Sequence, residues 1–594
     1  MRNRIKLVVA SVFIFFVFVF GASADVLGQS QRFFISSQYD AQSRTMVDAT
    51  LKYISERAYF YVADEYWDSV RVAVRGQIID QIGLLAQEFD SRIYPIETQF
   101  FGSEPNPGIN GNSRMTILLT PLIQNAGGYF DTANQYPLAE VNNSNQREMI
   151  YLNINVIADL NKMFAFLAHE FQHIITFNQK ENIRRVSDDV WLNELRSEYA
   201  ITLLGYNNVF DGSHLEKRVN ALEDNPTDSL TEWKNLPADY GQISLLGEYI
   251  AEHYSPQVIA DTLKNNLKSI PSLNNALSRN GFSDSFIDIY RNWLIANFLN
   301  GLSSNSSFGY TNKGLNDFRV NPTRAIKNLG DDTPITIADT IKDWQGRWYD
   351  ISQLIPSRKN GLKITFDSPS LASFYISYIV FNADNEYEVY SFNPIPNANT
   401  LYIPGIGIDA SSVVIMPIKK DKLSGFSANE SAVQLITKFE RIASLPENAI
   451  VPPRMLTPAI ITEPVMNQLP VTGYQLPSFS DGSLIRAEND YKIYVINGKW
   501  RRHIISPEIF KFYPHLGFDK VKVVPPSVLS NYQESNLVRY VAEQKVYAVN
   551  EKGVRQWLNI TPRQFTASGR AWDSIFEVNL EELTFYKIGA SIMR

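Results

Sequence analysis

Cysteine is missing from all 594 residues, which rules out disulfide staples, thiol catalysis and every cysteine-based zinc site. Histidine is scarce. The chain has six, His169, His173, His214, His253, His503 and His515, and these are its only soft nitrogen ligands for a metal. Positive charge is also short. The formal net charge is -7, and loss of the first 24 residues would take it to -10, because Arg2, Arg4 and Lys6 would leave with no acid among them. A surface of that sign repels phosphate backbones, so no nucleic-acid partner is expected. Apolar material is not lacking: 44% hydrophobic and 12% aromatic residues describe a chain that folds, and its length calls for several cores.

The N-terminus carries the pattern of an export signal. Three cations precede an apolar run from Leu7 to Phe20, followed by Ala22-Ser23-Ala24. The run is shorter than the roughly 20 residues that span a bilayer, so cleavage after Ala24 is expected, with no transmembrane segment left behind. The expected location is extracellular, either secreted or held at the cell surface.

Beyond the signal the pattern changes three times. Residues 30–150 mix strands, clearest at Tyr59–Val62 and Met115–Leu119, with an amphipathic helix from Val70 to Phe89. Helical periodicity dominates from Asp159 to about Leu302. Short β-branched and aromatic runs between Asn, Pro and Gly then suggest a β-sandwich over 335–442. Pro446, Pro452, Pro453, Pro458, Pro464, Pro470 and Pro477 mark 443–480 as an extended linker. The last module, 481–594, contains an internal repeat: Leu484-Ile485-Arg486 and Lys492-Ile493-Tyr494 return 53 positions later as Leu537-Val538-Arg539 and Lys545-Val546-Tyr547. Two small β-rich units are expected there. Trp500, Arg501, Arg502 and Trp557 could form a face for a cell-surface polymer, or could simply pack a small core.

The chemistry concentrates at Phe166 to Ile175. Met163, Phe164, Leu167, Phe171, Ile174 and Ile175 recur at helical spacing, so His169 and His173 share one helix face a turn apart and can hold one metal ion. Glu170 lies on the same turn, placed to act on a metal-activated water as general base. A zinc site needs a further ligand. The extended metzincin pattern would require Gly at 176 and His at 179, and Thr176 and Gln179 exclude it. Downstream, Trp191 to Ala200 reads as a second helix with Glu194 and Glu198 on one face.

Taken together, His-Glu-x-x-His on one helix and Asn193-Glu194-x-x-x-Glu198 on the next resemble the gluzincin metallopeptidases. His169-Glu170-Phe171-Gln172-His173, Trp191-Leu192-Asn193-Glu194, Gly128-Tyr129-Phe130 and Glu148 to Asn153 look most like the hyicolysin-type neutral metalloproteases, over roughly residues 30–300. The resemblance implies a zincin-like α+β domain within 30–320, one zinc ion held by His169, His173 and Glu194, and Glu198 supporting a liganding histidine from behind. It also implies a tyrosine or histidine downstream to steady the oxyanion; Tyr240 is the candidate, with His214 and His253 as the other possibilities. The strand Glu148–Ile154 would be the edge that pairs with an extended peptide.

The expected function is a secreted zinc endopeptidase acting on proteins or peptides. The alternatives are a surface-binding protein on an inactive peptidase fold and a zinc hydrolase of small substrates. Two motifs are set aside. Leu469-Pro470-Val471-Thr472-Gly473 has the letters of a sortase signal but not its apolar, basic tail, and the Asn106–Asn112 loop offers amides where calcium wants carboxylates.

Overall fold

A computed structural model describes residues 24–592 apart from 301–305, 369–372, 396–397, 448, 450–478, 480, 488–491, 514–515, 525–527, 530–531, 541–542, 544 and 569. The signal segment, the sortase-like pentapeptide and His515 lie outside the described residues, as does nearly all of the proline-rich stretch. The protein is a multidomain α+β chain that falls into two compact units, one to Met466 and one from Asn467. Among the described residues no helix is long and apolar enough to cross a membrane.

The first unit opens with β1 (Ser30–Phe34), β2 (Met46–Ile54), β3 (Ala58–Ala63), β4 (Met115–Thr120), β5 (Gly128–Phe130) and β6 (Met149–Asn153). They form one sheet in the order β1-β2-β3-β4-β6-β5. Strands β3, β4 and β6 run parallel to one another and are buried along their whole length, which is why they read as unbroken apolar runs without alternation. Strand β5 pairs antiparallel with β6 and forms the sheet's edge. The expectation that the strand before the metal-binding helix is the edge is therefore wrong by one strand: β6 is enclosed between β4 and β5. Its unbroken apolar run, Met149-Ile150-Tyr151-Leu152, indicates cover on both faces.

Helices α1 (Asp64–Ser69), α2 (Val72–Glu88) and α3 (Tyr94–Phe101) follow β3; α4 (Leu160–Thr176), α5 (Val190–Leu203), α6 (His214–Asp224) and α7 (Pro237–His253) follow β6. Helix α4 starts on Asp159, whose side chain accepts from the Lys162 amide, satisfying one of the free donors of the first turn. It packs on β5 and β6, and α5, α6 and α7 stack outward from it. Gly241 makes the α6–α7 contact close, since a Cβ there would stand 2.9 Å from both the Arg218 carbonyl oxygen and the Leu222 nitrogen.

After α8 (Pro256–Asp261), α9 (Ser269–Arg279) and α10 (Phe286–Leu299) come two sheets sharing one apolar core, with orders β13-β10-β15-β8 and β12-β11-β14-β9-β7. The strands are β7 (Arg324–Lys327), β8 (Ile335–Ile341), β9 (Tyr349–Ser352), β10 (Gly361–Asp367), β11 (Phe374–Phe381), β12 (Tyr387–Phe392), β13 (Thr400–Ile403), β14 (Ser412–Lys419) and β15 (Val433–Ile442). Strand β7 joins this sandwich upstream of residue 335. Buried Trp344 and Trp348 tie the sandwich to α10: the Trp348 indole donates to the Leu294 carbonyl at 3.1 Å, and Trp344 packs against Phe286 and Tyr290.

The second unit holds two five-stranded sheets of the same design. The first comprises β16 (Leu484–Ala487), β17 (Ile493–Asn497), β18 (Trp500–His503), β19 (Val521–Val524) and β20 (Gln533–Glu534), in the order β19-β16-β17-β18-β20. The second repeats that order as β24-β21-β22-β23-β25, from β21 (Leu537–Tyr540), β22 (Val546–Val549), β23 (Val554–Trp557), β24 (Phe576–Val578) and β25 (Lys587–Ile588). Leu484 and Val495 of one sheet and Val538, Val549 and Phe576 of the other meet in a common core.

Candidate metal centre

The rings of His169 and His173 leave one face of α4 with centroids 4.9 Å apart, as a four-residue spacing requires. Their Nε2 atoms approach to 3.2 Å. Glu194, reaching in from α5, closes the third side, with Oε2 3.2 Å from His169 Nε2 and Oε1 3.6 Å from His173 Nε2. One donor atom from each residue lies within 4.8 Å of the others, and no other such group of three occurs among the described residues.

Both imidazoles are held from behind. His169 Nδ1 is 3.3 Å from Glu198 Oε1, while His173 Nδ1 lies 3.1 Å from Ser197 Oγ and 3.3 Å from Asn193 Oδ1. Partners on Nδ1 fix ring orientation and turn each Nε2 toward the common point. Helix α5 thus supplies two parallel rows four residues apart, Asn193 with Ser197 for one histidine and Glu194 with Glu198 for the other. Glu194 Oε2 is buried, and although His169 Nε2 stands 3.2 Å away, no donor meets it in hydrogen-bond geometry. A buried carboxylate oxygen without a donor is costly, and a cation at the convergence point removes that cost. Two imidazole nitrogens and a carboxylate suit zinc and similar divalent metals.

Glu198 is the opposite case. It accepts from Arg218 at 2.9 and 2.8 Å, from Ser244 at 2.8 Å, and lies 3.1 Å through each oxygen from His214 Nε2. Burial alone would raise its pKa, but Arg218, His214 and His169 hold it well below the usual range. It is therefore a fixed negative charge. His169 feels this: burial opposes its proton, yet Glu194 and Glu198 hold it up to about 10. His173 moves down to about 4, through burial and repulsion from His169 that together outweigh Glu194. Glu170 is pushed up to about 7 by burial, with His169 opposing and Glu194 reinforcing. The Phe130 amide on edge strand β5 donates to its carboxylate. Gly128 lets that strand lie so close, because a Cβ there would meet the Tyr151 carbonyl at 2.8 Å and Glu170 Cγ at 3.0 Å.

Tyr240 stands beside this cluster. Its hydroxyl donates to Asn235 Oδ1 at 2.8 Å, its ring lies 4.3 Å beneath the Arg218 guanidinium, and burial followed by Glu194 raises its pKa. Asn235 adopts a left-handed φ of 61°, pinned on both sides by Asp239 Oδ2, which accepts from the Lys234 and Leu236 amides. The other two oxyanion possibilities sit elsewhere: His214 backs Glu198, and His253 Nε2 contacts the Gly309 carbonyl at 2.9 Å. Sequence reasoning missed Tyr39, Asn235, Arg218 and Ser244. Tyr39 stacks on Tyr129, interacts with Asn235, and has its pKa raised by burial and then by Glu170 and Glu194, so its phenol borders the same cluster. Only Arg218 left a signal, since it falls four residues after His214 on one face of α6.

No family model matches the chain. One curated protein decides the direction of the comparison. This chain is similar to a neutral metalloprotease. The relative is neutral metalloprotease ShpI of Staphylococcus hyicus, 31% identical over 163 residues, which are 25% of this chain and 34% of that protein. The match therefore spans about a third of the relative's length. Two solved structures, the Yersinia pseudotuberculosis-derived mitogen (TM-score 0.15, 9% identity, 20% of this chain and 94% of that one) and the lysozyme inhibitor PliG of Salmonella Typhimurium (0.13, 11%, 20% and 97%), are too slightly alike to bear on the fold.

Proposed function

We propose that this chain is a secreted zinc endopeptidase of the gluzincin class and hyicolysin type, with one zinc ion held by His169, His173 and Glu194. The observation that carries the reading is the convergence of both Nε2 atoms on the Glu194 carboxylate, whose buried Oε2 no donor meets in hydrogen-bond geometry. The partial match to a metalloprotease points the same way.

Zinc bound there would supply a Lewis acid that polarises a peptide carbonyl and acidifies a water. Glu170 takes the proton of the attacking water on a carboxylate oxygen and releases it to the departing amine. An acid pushed to about 7 by burial is suited to both transfers near neutral pH. Glu198 keeps His169 oriented, and Ser197 with Asn193 does so for His173. The Tyr240 hydroxyl, turning from Asn235, donates to the oxygen that becomes negative. Edge strand β5 offers its free edge to an extended substrate, so segments of unfolded protein are the expected substrates. In this reading the zincin-like domain lies within 30–320, the sandwich runs from β7 to β15 over 324–442, the linker over 443–480 and the two-repeat module over 481–594. Export follows from the N-terminal apolar run, and the module serves placement, on a polymer at the cell surface.

The test is elemental analysis of the purified chain together with casein cleavage before and after chelation. One zinc per chain, with cleavage lost to chelator and restored by zinc, is expected. Absence of stoichiometric metal, or cleavage untouched by chelator, overturns the reading.

A further inference from the structure

We infer that the C-terminal unit binds a neutral saccharide in a cavity between its two sheets. The cavity has a volume of about 710 Å³ and draws its lining from both sheets. That size falls within the roughly 300–1,000 Å³ typical of ligand sites.

Its aromatic walls come from different copies of the repeat. Trp500 opens β18 in the first sheet, and its Nε1 is buried without a hydrogen-bond partner. Trp572 comes from the second, is 52% exposed, and rests on Phe565 with ring centroids 4.2 Å apart. The corresponding opening position of the second copy, at the start of β23, is Val554. The indole at 500 is therefore a departure of one copy from the other and not a demand of the shared fold.

Each charge on the lining has a contact. Arg539 bonds Glu577, Arg502 bonds Glu582 at 2.7 Å, Asp481 accepts from the Gly498 amide at 2.6 Å, and the Lys499 ammonium stands over the Trp500 ring, 5.5 Å from its centroid. Lys499, Arg502 and Arg539 are matched in number by Asp481, Glu577 and Glu582, so the rim offers donors and acceptors but no surplus charge and suits neither a phosphate nor a charged peptide. Flat indole faces bordered by neutralised polar groups match a pyranose, which presents an apolar C–H face edged with hydroxyls. This inference does not depend on the metal centre.

The test is calorimetric titration of the full chain with cellohexaose, chitohexaose and maltohexaose, and with a proline-rich decapeptide as the competing chemistry. At least one hexasaccharide should bind saturably, with affinity falling roughly tenfold or more in Trp500→Ala and in Trp572→Ala. Trp557→Ala, outside the cavity, should bind as the parent does. Because Trp572 is half exposed, Trp572→Ala decides the matter if Trp500→Ala fails to fold. Binding by none of the sugars, sugar binding unchanged in Trp572→Ala, or binding of the peptide alone would overturn the inference.

Discussion

The metal centre on α4 and α5 and the cavity of the C-terminal unit are both lined with charge, but they dispose of it differently. Around His169, His173 and Glu194 the charged groups converge and one carboxylate oxygen is left without a donor. Around Trp500 and Trp572 each charge whose contacts are described above has a partner of its own. Unsatisfied charge is costly unless something arrives to meet it, so the first arrangement calls for a cation, whereas the second can recognise only by shape and neutral hydrogen bonds. The distinction separates a place for chemistry from a place for attachment, and each variant below tests one side of it.

The largest effects belong to the unsatisfied side. Glu194→Gln removes the charged ligand, so metal retention after dialysis and peptide cleavage should both be abolished, while the metal-free protein melts close to the parent. Glu170→Gln should keep its metal and lose roughly 10² to 10⁴-fold in kcat, because only the proton acceptor is gone. Full activity in the second variant would remove Glu170 from the mechanism. Next comes the hydroxyl pair: Tyr240→Phe should lower kcat by about 10²-fold with little change in KM, the range for loss of one oxyanion donor, and Tyr39→Phe should cost less than Tyr240→Phe. If the order is reversed, Tyr39 is the donor and Asn235 orients that ring instead.

What the sequence made legible follows the range of the interactions involved. His169, Glu170 and His173 are read from a spacing of four on one helix, and Glu194 and Glu198 from the same spacing on the next, because helical geometry is local. Tyr39 lies far from this motif in the chain and is held at the site by its stack on Tyr129 and its interaction with Asn235, contacts that no window of sequence contains. Edge strand β5 has three residues, too few for a period to show, and the edge expected at Glu148–Ile154 rests on the family resemblance alone. The face expected from Trp500, Arg501, Arg502 and Trp557 divides for a different reason. Alternation along β18 puts Trp500 and Arg502 toward the cavity, while Arg501 packs over Tyr494 and Trp557 sits beneath Lys545.

Glu198 tests whether full satisfaction of a charge is itself a function. Glu198→Gln should weaken metal binding or turnover by about 10 to 100-fold, the usual cost of losing a group that orients a ligand. It should also destabilise the protein more than Glu194→Gln does, since Arg218 would be left buried with its charge unmet, a loss of about 3–5 kcal/mol. Thermal melting of the two metal-free variants checks this. Equal melting points would mean that the Arg218 contact does not support the site.

The smallest effect expected is none at all, on truncation after Leu445. Every side chain named at the metal centre lies between Tyr39 and Ser244, and the strands of the sandwich end with β15 at Ile442. Leu445 packs close to Gly361 at the start of β10, so a chain stopped there retains that contact of the sandwich. The C-terminal unit has its own cores, built from Phe479 onward, and the first unit has its own. The shortened chain should therefore fold, hold its metal and cleave a short soluble peptide at close to the full-length rate, while losing the hexasaccharide binding assigned to the cavity. A polymer-linked substrate should separate the two forms even where the soluble peptide does not, because attachment raises local concentration without altering the chemistry. If the truncated protein remains folded by circular dichroism yet cannot cleave the soluble peptide, the unit of paired charges takes part in catalysis, and the division between chemistry and attachment fails.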